Sequence, residues 1–163
     1  MTTDVQTSTV RSKKRGILPF VRPRRNGDMS AAEFALRDDN LRDFIENAAV
    51  GIHFVGPDGV ILWANRAEMN LLGYEPHEYI GRHIAEFHAE KPVIQEILRR
   101  LSAGDKLLEC PSRLRCKDGS LRDVLIDSNV HFDEDGKFLH TRCMTRDVTE
   151  SRRTQAALSQ EIE

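Results

Sequence analysis

The chain has 163 residues, 39% hydrophobic and 31% charged, with a formal net charge of −2. That is enough apolar content for one core. No apolar run approaches the roughly 20 residues of a bilayer span, and the N-terminus lacks the apolar stretch of a secretory signal. The charge is uneven: residues 1–30 hold seven basic residues against two acids, net +5, which leaves −7 for the rest. An acidic body does not suit nucleic acid, whereas a basic arm can contact phosphates or a membrane surface.

Residues 1–29 mix Thr, Ser, Arg, Lys, Pro and Gly without periodicity and read as a disordered basic arm. Its charge comes from Arg11, Lys13, Lys14, Arg15, Arg22, Arg24 and Arg25, set around a short apolar island at 16–21. Order is expected from Ser30, where Ser30 and Glu33 form a capping-box pattern. Phe34, Leu41, Ile45 and Ala48 follow at helical spacing with Phe44 beside them, so residues 30–48 read as an amphipathic helix for core or dimer contact.

Three Asp-Gly pairs, Asp58-Gly59, Asp118-Gly119 and Asp135-Gly136, each lie between runs with strand character and predict hairpins. The runs are 51–55, 60–64, 107–115, 121–132 and 137–146. In the fourth, Val124, Ile126, Ser128 and Val130 alternate with Asp123, Asp127 and Asn129, the pattern of a sheet with one buried face. Between the second and third runs the chain is helical in pieces. Asn65 with Glu68 is a cap pattern and Gly73 suits a C-terminal stop. Lys91–Leu101 is the strongest helix, with Pro92 at its first turn, an apolar face of Val93, Ile94, Ile97, Leu98 and Leu101, and Glu96–Arg100 as an expected i,i+4 pair. Asp147-Val-Thr-Glu150 then opens a polar exit helix over 149–163, whose apolar residues Ala157, Leu158 and Ile162 bury little alone.

The segments GIHFVGPDGVILWANRAEMNLLGYEPHEYIG, KDGSLRDVLIDSNV and DEDGKFLHTRCMTRDVTE, in this order and spacing, resemble a PAS domain of the S-box type, as found in bacterial two-component sensor kinases. The resemblance covers about residues 38–150. It implies an α+β fold, a five-stranded antiparallel sheet with short helices covering one face around a small cavity, flanked by N- and C-terminal helices. The PAS domain is placed at 49–148. The resemblance also implies a sensory or interaction role. In the family the asparagine ending the second strand ties the sheet to the first covering helix, and Asn65 is the matching position. A plain helix N-cap accounts for the same residue type. Asp147 and Thr149 match the Asp-x-Thr that joins the last strand to the output helix, where either can also cap that helix.

Strand alternation and helix faces together place Phe54, Met69, Leu72, Ile97, Leu101, Val124, Ile126, Ser128, Thr141 and Cys143 around an apolar interior, with Asn65 at its edge. Ser128 and Thr141 are the polar groups able to orient a ligand. No phosphate-binding, nucleophile-elbow or metalloprotease motif occurs, and the expectation is no enzyme. Cofactor identity stays unknown. The middle region lacks the cysteine that flavin photochemistry uses in light-sensing relatives. Haem would need a histidine ligand, for which His83 and His88 are the weak candidates. Cys110, Cys116 and Cys143 show no CxxC spacing and read as reduced thiols of a cytoplasmic protein, with Cys143 open to two readings, a small buried residue or a redox sensor. The expected partners are a second copy in a homodimer, a separate histidine kinase or other signalling protein, and weak membrane or nucleic-acid contact by the arm.

Overall fold

The computed structural model describes residues 31–160. Helix α1 (Ala31–Glu46) leads into strands β1 (Gly51–Val55) and β2 (Ile61–Ala64). Short helices α2 (Arg66–Leu72) and α3 (Pro76–Tyr79), a 3-10 turn (Ile84–Phe87) and helix α4 (Lys91–Ser102) follow. Strands β3 (Leu107–Arg115), β4 (Leu121–Phe132) and β5 (Phe138–Asp147) complete one antiparallel sheet in the order β2-β1-β5-β4-β3, and α5 (Thr149–Gln160) leaves it. This is the α+β architecture that the sequence segments predict. The basic arm, the Ser30 cap and Ile162 lie outside the described residues.

The hairpins form for local reasons. Gly59 and Gly119 take φ +80 and +85, a conformation glycine reaches without Cβ strain, and the aspartates before them accept from the backbone two residues on (Asp58 from Val60 N at 3.1 Å, Asp118 from Ser120 N at 2.9 Å). In the third turn the work falls to Asp133 rather than Asp135: its Oδ1 accepts from Asp135 N at 3.0 Å and Lys137 N at 2.8 Å. Pro111 sits in β3, an edge strand, where a missing N–H costs no ladder bond in the sheet centre.

Both sheet edges are covered. The segment 81–89 pairs with β2 at one end (Ile61 N to Arg82 O, 2.9 Å; Gly81 N to Ile61 O, 2.8 Å). It pairs with β3 at the other (Ala89 N to Arg113 O, 2.9 Å). It therefore crosses the inner face from edge to edge, burying Ile84 and Phe87 and blunting two strands that would otherwise present free hydrogen-bonding groups. Phe87 packs against Tyr74 and Tyr79 with ring centroids 5.0 and 4.6 Å apart. Helix α4 lays Ile94, Ile97 and Leu101 on the sheet, each such buried side chain contributing about 1.5–3 kcal/mol of apolar burial. Its exposed acid pairs differently from the expected register: Glu96 meets Arg99 at 2.7 Å, and Arg100 turns to Asp105 at 3.4 Å. The i,i+3 and i,i+4 positions both lie on one helix surface, Asp105 lies just past the end of α4, and exposed pairs of this kind hold their partners weakly.

Candidate functional site

The inner face of the sheet is not uniformly apolar. Alternation brings His53 and Val55 of β1, Ser128 of β4, and Thr141, Cys143 and Thr145 of β5 to the middle of it, all buried. Around them stand Met69, Leu72, Ile97, Leu101, Val124 and Ile126, also buried. Phe54 does not join them. Its neighbours His53 and Val55 face inward, so Phe54 projects from the opposite face, where it stacks on His140 (4.7 Å) and meets Trp63 (5.2 Å). There it lines an open groove with Ile45 and Arg42 of α1. The cause is a one-residue choice of register in a strand reading Ile-His-Phe-Val, since a slip of one exchanges the faces.

Glu68 is the centre of the buried polar cluster. Its side chain is fully buried, its Oε1 lies 3.2 Å from His53 Nδ1, and it accepts from Tyr79 Oη at 3.3 Å and Thr145 Oγ1 at 3.4 Å. The imidazole contact is a charge pair rather than an aligned hydrogen bond, and Glu68 Oε2 has no hydrogen-bond partner. Gly51 makes room for this carboxylate, because a Cβ there would stand 2.1 Å from Oε2. A buried carboxylate without a cation is strongly disfavoured. His53 supplies one: desolvation pulls its pKa down, but the charges of Cys143 and Glu68 outweigh it and raise the value to about 10.

His53 and Cys143 are directly opposed across β1 and β5. The Cys143 sulfur is 2.9 Å from Ser128 Oγ and 3.2 Å from Thr141 Oγ1, and Thr141 Oγ1 also accepts from Val55 N at 3.1 Å. Burial pushes the Cys143 thiol up, yet the His53 charge and these hydrogen bonds bring it below its ordinary range. Tyr79 is moved the other way: desolvation and then the Glu68 charge hold its phenol well above the usual value. His88 Nδ1 sits 2.9 Å from Ser112 Oγ. Desolvation, with the His53 charge second, lowers its pKa to about 3, so it is neutral. His83 instead stands at the start of the 3-10 turn, its Nδ1 accepting from Ala85 N at 3.2 Å. Only His88 of the two reaches the interior cavity.

That cavity is about 20 Å³, lined by His53, His88, Thr141, Cys143 and aliphatic side chains of α4. The volume suits a molecule of one or two waters. Ile94, Ile97, Leu98 and Leu101 occupy the space above it, so neither a haem nor a flavin fits the interior as packed.

Two polar residues tie this centre to the flanking helices. Asn65 is fully buried. Its Oδ1 accepts from Ile52 N (2.9 Å) and Glu68 N (3.0 Å), and its Nδ2 donates to Ile45 O and Val50 O (3.0 Å each). It is an N-cap, and it also clasps the end of α1. Thr149, buried at the start of α5, accepts from Asp123 N of β4 at 2.9 Å, while Asp147 accepts from Thr149 N at 2.9 Å. His53, Tyr79, Thr145 and Ser112 are not among the site residues expected from the sequence, and two that it singles out have another place here: His88, a candidate haem ligand, pairs with Ser112, and Glu68, a capping acid, is the centre of the cluster. The one available signal was Glu68 itself, an acid at the third position after Asn65, which a capping pattern absorbs.

A family profile described as PAS fold matches residues 45–153. No curated protein matches the chain. Among solved structures, the PAS domain of an HTR-like protein from Haloarcula marismortui is 24% identical, covering 71% of this chain and 95% of its own, with a TM-score of 0.62. An RNA-binding light-oxygen-voltage receptor aligns at 23% identity and TM-score 0.70, over 86% of this chain but 42% of its own length. A domain of a sensory box sensor histidine kinase/response regulator from Geobacter sulfurreducens aligns at 21% identity over 70% and 96%, TM-score 0.57. At these identities the likeness is one of fold.

Proposed function

The chain belongs to the PAS-fold family, and from that premise we propose that it is a non-enzymatic sensory and interaction module that relays the state of its interior through its flanking helices. One observation carries this reading. The residues that tie α1 and α5 to the domain are connected to the buried polar cluster: Asn65 through the Glu68 amide, Thr149 through Asp147 and β5, the strand that holds Thr145 and Cys143. A change in charge or packing at Glu68 thus meets both exits.

The helices also suit a second copy. Leu41 and Phe44 of α1 and Leu158 of α5 are 56, 72 and 57% exposed, an arrangement that favours a homodimer over isolated helices. A separate histidine kinase is the alternative partner, and the basic residues of the arm suit an anionic surface. Among the described residues no helix is long and apolar enough to cross a membrane.

Substituting Thr149→Val is expected to raise amide exchange in α5 by several-fold while the β3–β4 hairpin stays protected, because the lost anchor contributes about 1 kcal/mol. Hydrogen exchange by mass spectrometry checks it, with sedimentation of the same samples reporting the dimer. Unchanged exchange in α5 would remove Thr149 from the relay.

A further inference from the structure

We propose that the Cys143–His53–Glu68 array is a reaction site for hydrogen peroxide, in which Cys143 is the nucleophile and His53 the proton donor. The proposal gives the sensory module a signal and rests on that reading only for its use. The chemistry at Cys143 stands or falls separately.

The array has the parts such a reaction needs. Cys143 and His53 face each other from adjacent strands. Glu68 stands 3.2 Å behind the imidazole, and the charges of Cys143 and then Glu68 hold it protonated against desolvation. Ser128 and Thr141 hydroxyls contact the sulfur at 2.9 and 3.2 Å and stabilise its anion. Thiol and imidazole both border the cavity of about 20 Å³. An outer cleft of about 150 Å³ shares Leu98, Leu101 and Thr141 with that cavity, so these side chains are the wall a small solute has to pass. Behind the imidazole, His53 Nδ1 and Glu68 Oε2 are deeply buried and lack hydrogen-bond partners, so it is the charge of Glu68 that faces the imidazole from the side away from the cavity.

The step balances. The Cys143 thiolate attacks one peroxide oxygen, an S–O bond forms and the O–O bond breaks. The departing hydroxide takes the proton of the His53 imidazolium and leaves as water. Cysteine is oxidised by two electrons to the sulfenic acid, peroxide is reduced, and a charged pair becomes a neutral one. Cys110 lies in β3 and Cys116 just after it, where its thiol reaches Leu71 O, and all three cysteines are free; an external thiol is the reductant of the sulfenic acid in this scheme. The small cavity selects for size: a bulky organic hydroperoxide cannot enter.

The test uses the full chain carrying C110A and C116A, which leaves Cys143 as its sole thiol. Protein is treated with hydrogen peroxide, trapped with dimedone and weighed intact, with the same protein unfolded in guanidinium as reference. The folded protein is expected to form the sulfenic adduct at least about tenfold faster than the unfolded reference, the gain expected from greater thiolate population and a positioned acid. Glu68→Gln and His53→Asn should each bring the rate to the reference or below. Cumene hydroperoxide should give no acceleration. Should His53→Asn fail to fold, ultraviolet titration of the thiolate in the C110A/C116A protein decides in its place, with a midpoint below the ordinary thiol range expected. Folded Cys143 reacting no faster than the unfolded thiol, an ordinary thiol midpoint, or equal acceleration by the bulky hydroperoxide would each overturn the proposal.

Discussion

Asn65→Ala is expected to destabilise the domain by roughly 3 kcal/mol, because it removes four hydrogen bonds and leaves buried groups unsatisfied at about 1–3 kcal/mol each, partly relieved by water. The four partners are Ile52 N and Glu68 N on one side, Ile45 O and Val50 O on the other. The two sides separate experimentally. Asn65→Ser keeps a hydroxyl able to cap Glu68 N and should recover about 1 kcal/mol of the loss. It cannot donate twice to the carbonyls at the end of α1, so α1 should remain loosened. Urea unfolding gives the stability and amide exchange in α1 gives the rest. An alanine variant within 1 kcal/mol of wild type, on the scale of a lone cap, would mean that Asn65 is only a cap.

The second large effect is a loss of stability in mild acid that belongs to His88. Its folded pKa of about 3 lies below the ordinary 6.5. The unfolded chain therefore binds a proton that the folded chain refuses, and stability falls as pH drops from 6.5 toward 3, by about 1.4 kcal/mol per pH unit. His53 is shifted the other way, to about 10. Its contribution is complete below pH 6.5 and is lost only as pH rises from there to about 10, so it adds nothing to the acid limb. Cys143, lowered from 9.0, contributes stability present above that value and lost as pH falls toward its folded pKa, opposing the His53 loss over the shared alkaline range. The lowered carboxylates Glu78, Glu86 and Glu96 titrate below their ordinary 4.5, and Asp118 below 3.8. Between pH 6.5 and about 5, His88 is thus expected to account for about 2 kcal/mol. In His88→Asn, which can still bond Ser112, urea midpoints over this range should be flat. An acid slope equal to wild type would assign the effect elsewhere.

Much of the fold was legible because its signals are local. An aspartate two residues before an amide it can accept from makes a turn wherever it occurs, and alternation along β4 sets its buried face without help from other strands. The site was less legible because its signals are not local. The Ile-His-Phe-Val run of β1 favours putting Phe54 inside on hydrophobicity alone. The structure puts His53 inside because Glu68, fifteen residues later, gives it a charge to pair with, while Phe54 finds an aromatic neighbour on β2 and a ring on β5. Glu68 looks like a capping acid, yet its amide serves the cap and its carboxylate serves the core. At the exit, Asp147 and Thr149 were visible as capping residues. The bond from Asp123 N to the Thr149 hydroxyl joins residues that no periodicity relates.

The central claim is that the buried polar cluster and the flanking helices form one coupled system. The most direct measurement is amide exchange across the full chain in Glu68→Gln against wild type, at one pH and temperature. Glutamine keeps the shape and the backbone amide that Asn65 caps, but removes the charge that holds His53 and weakens the bonds to Tyr79 and Thr145. Faster exchange is predicted in α1 (Ala31–Glu46) and α5 (Thr149–Gln160), with the β3–β4 hairpin as protected as before. Identical exchange in both helices, alongside altered exchange confined to β1, α2 and β5, would show that the cluster stabilises the core and speaks to neither exit.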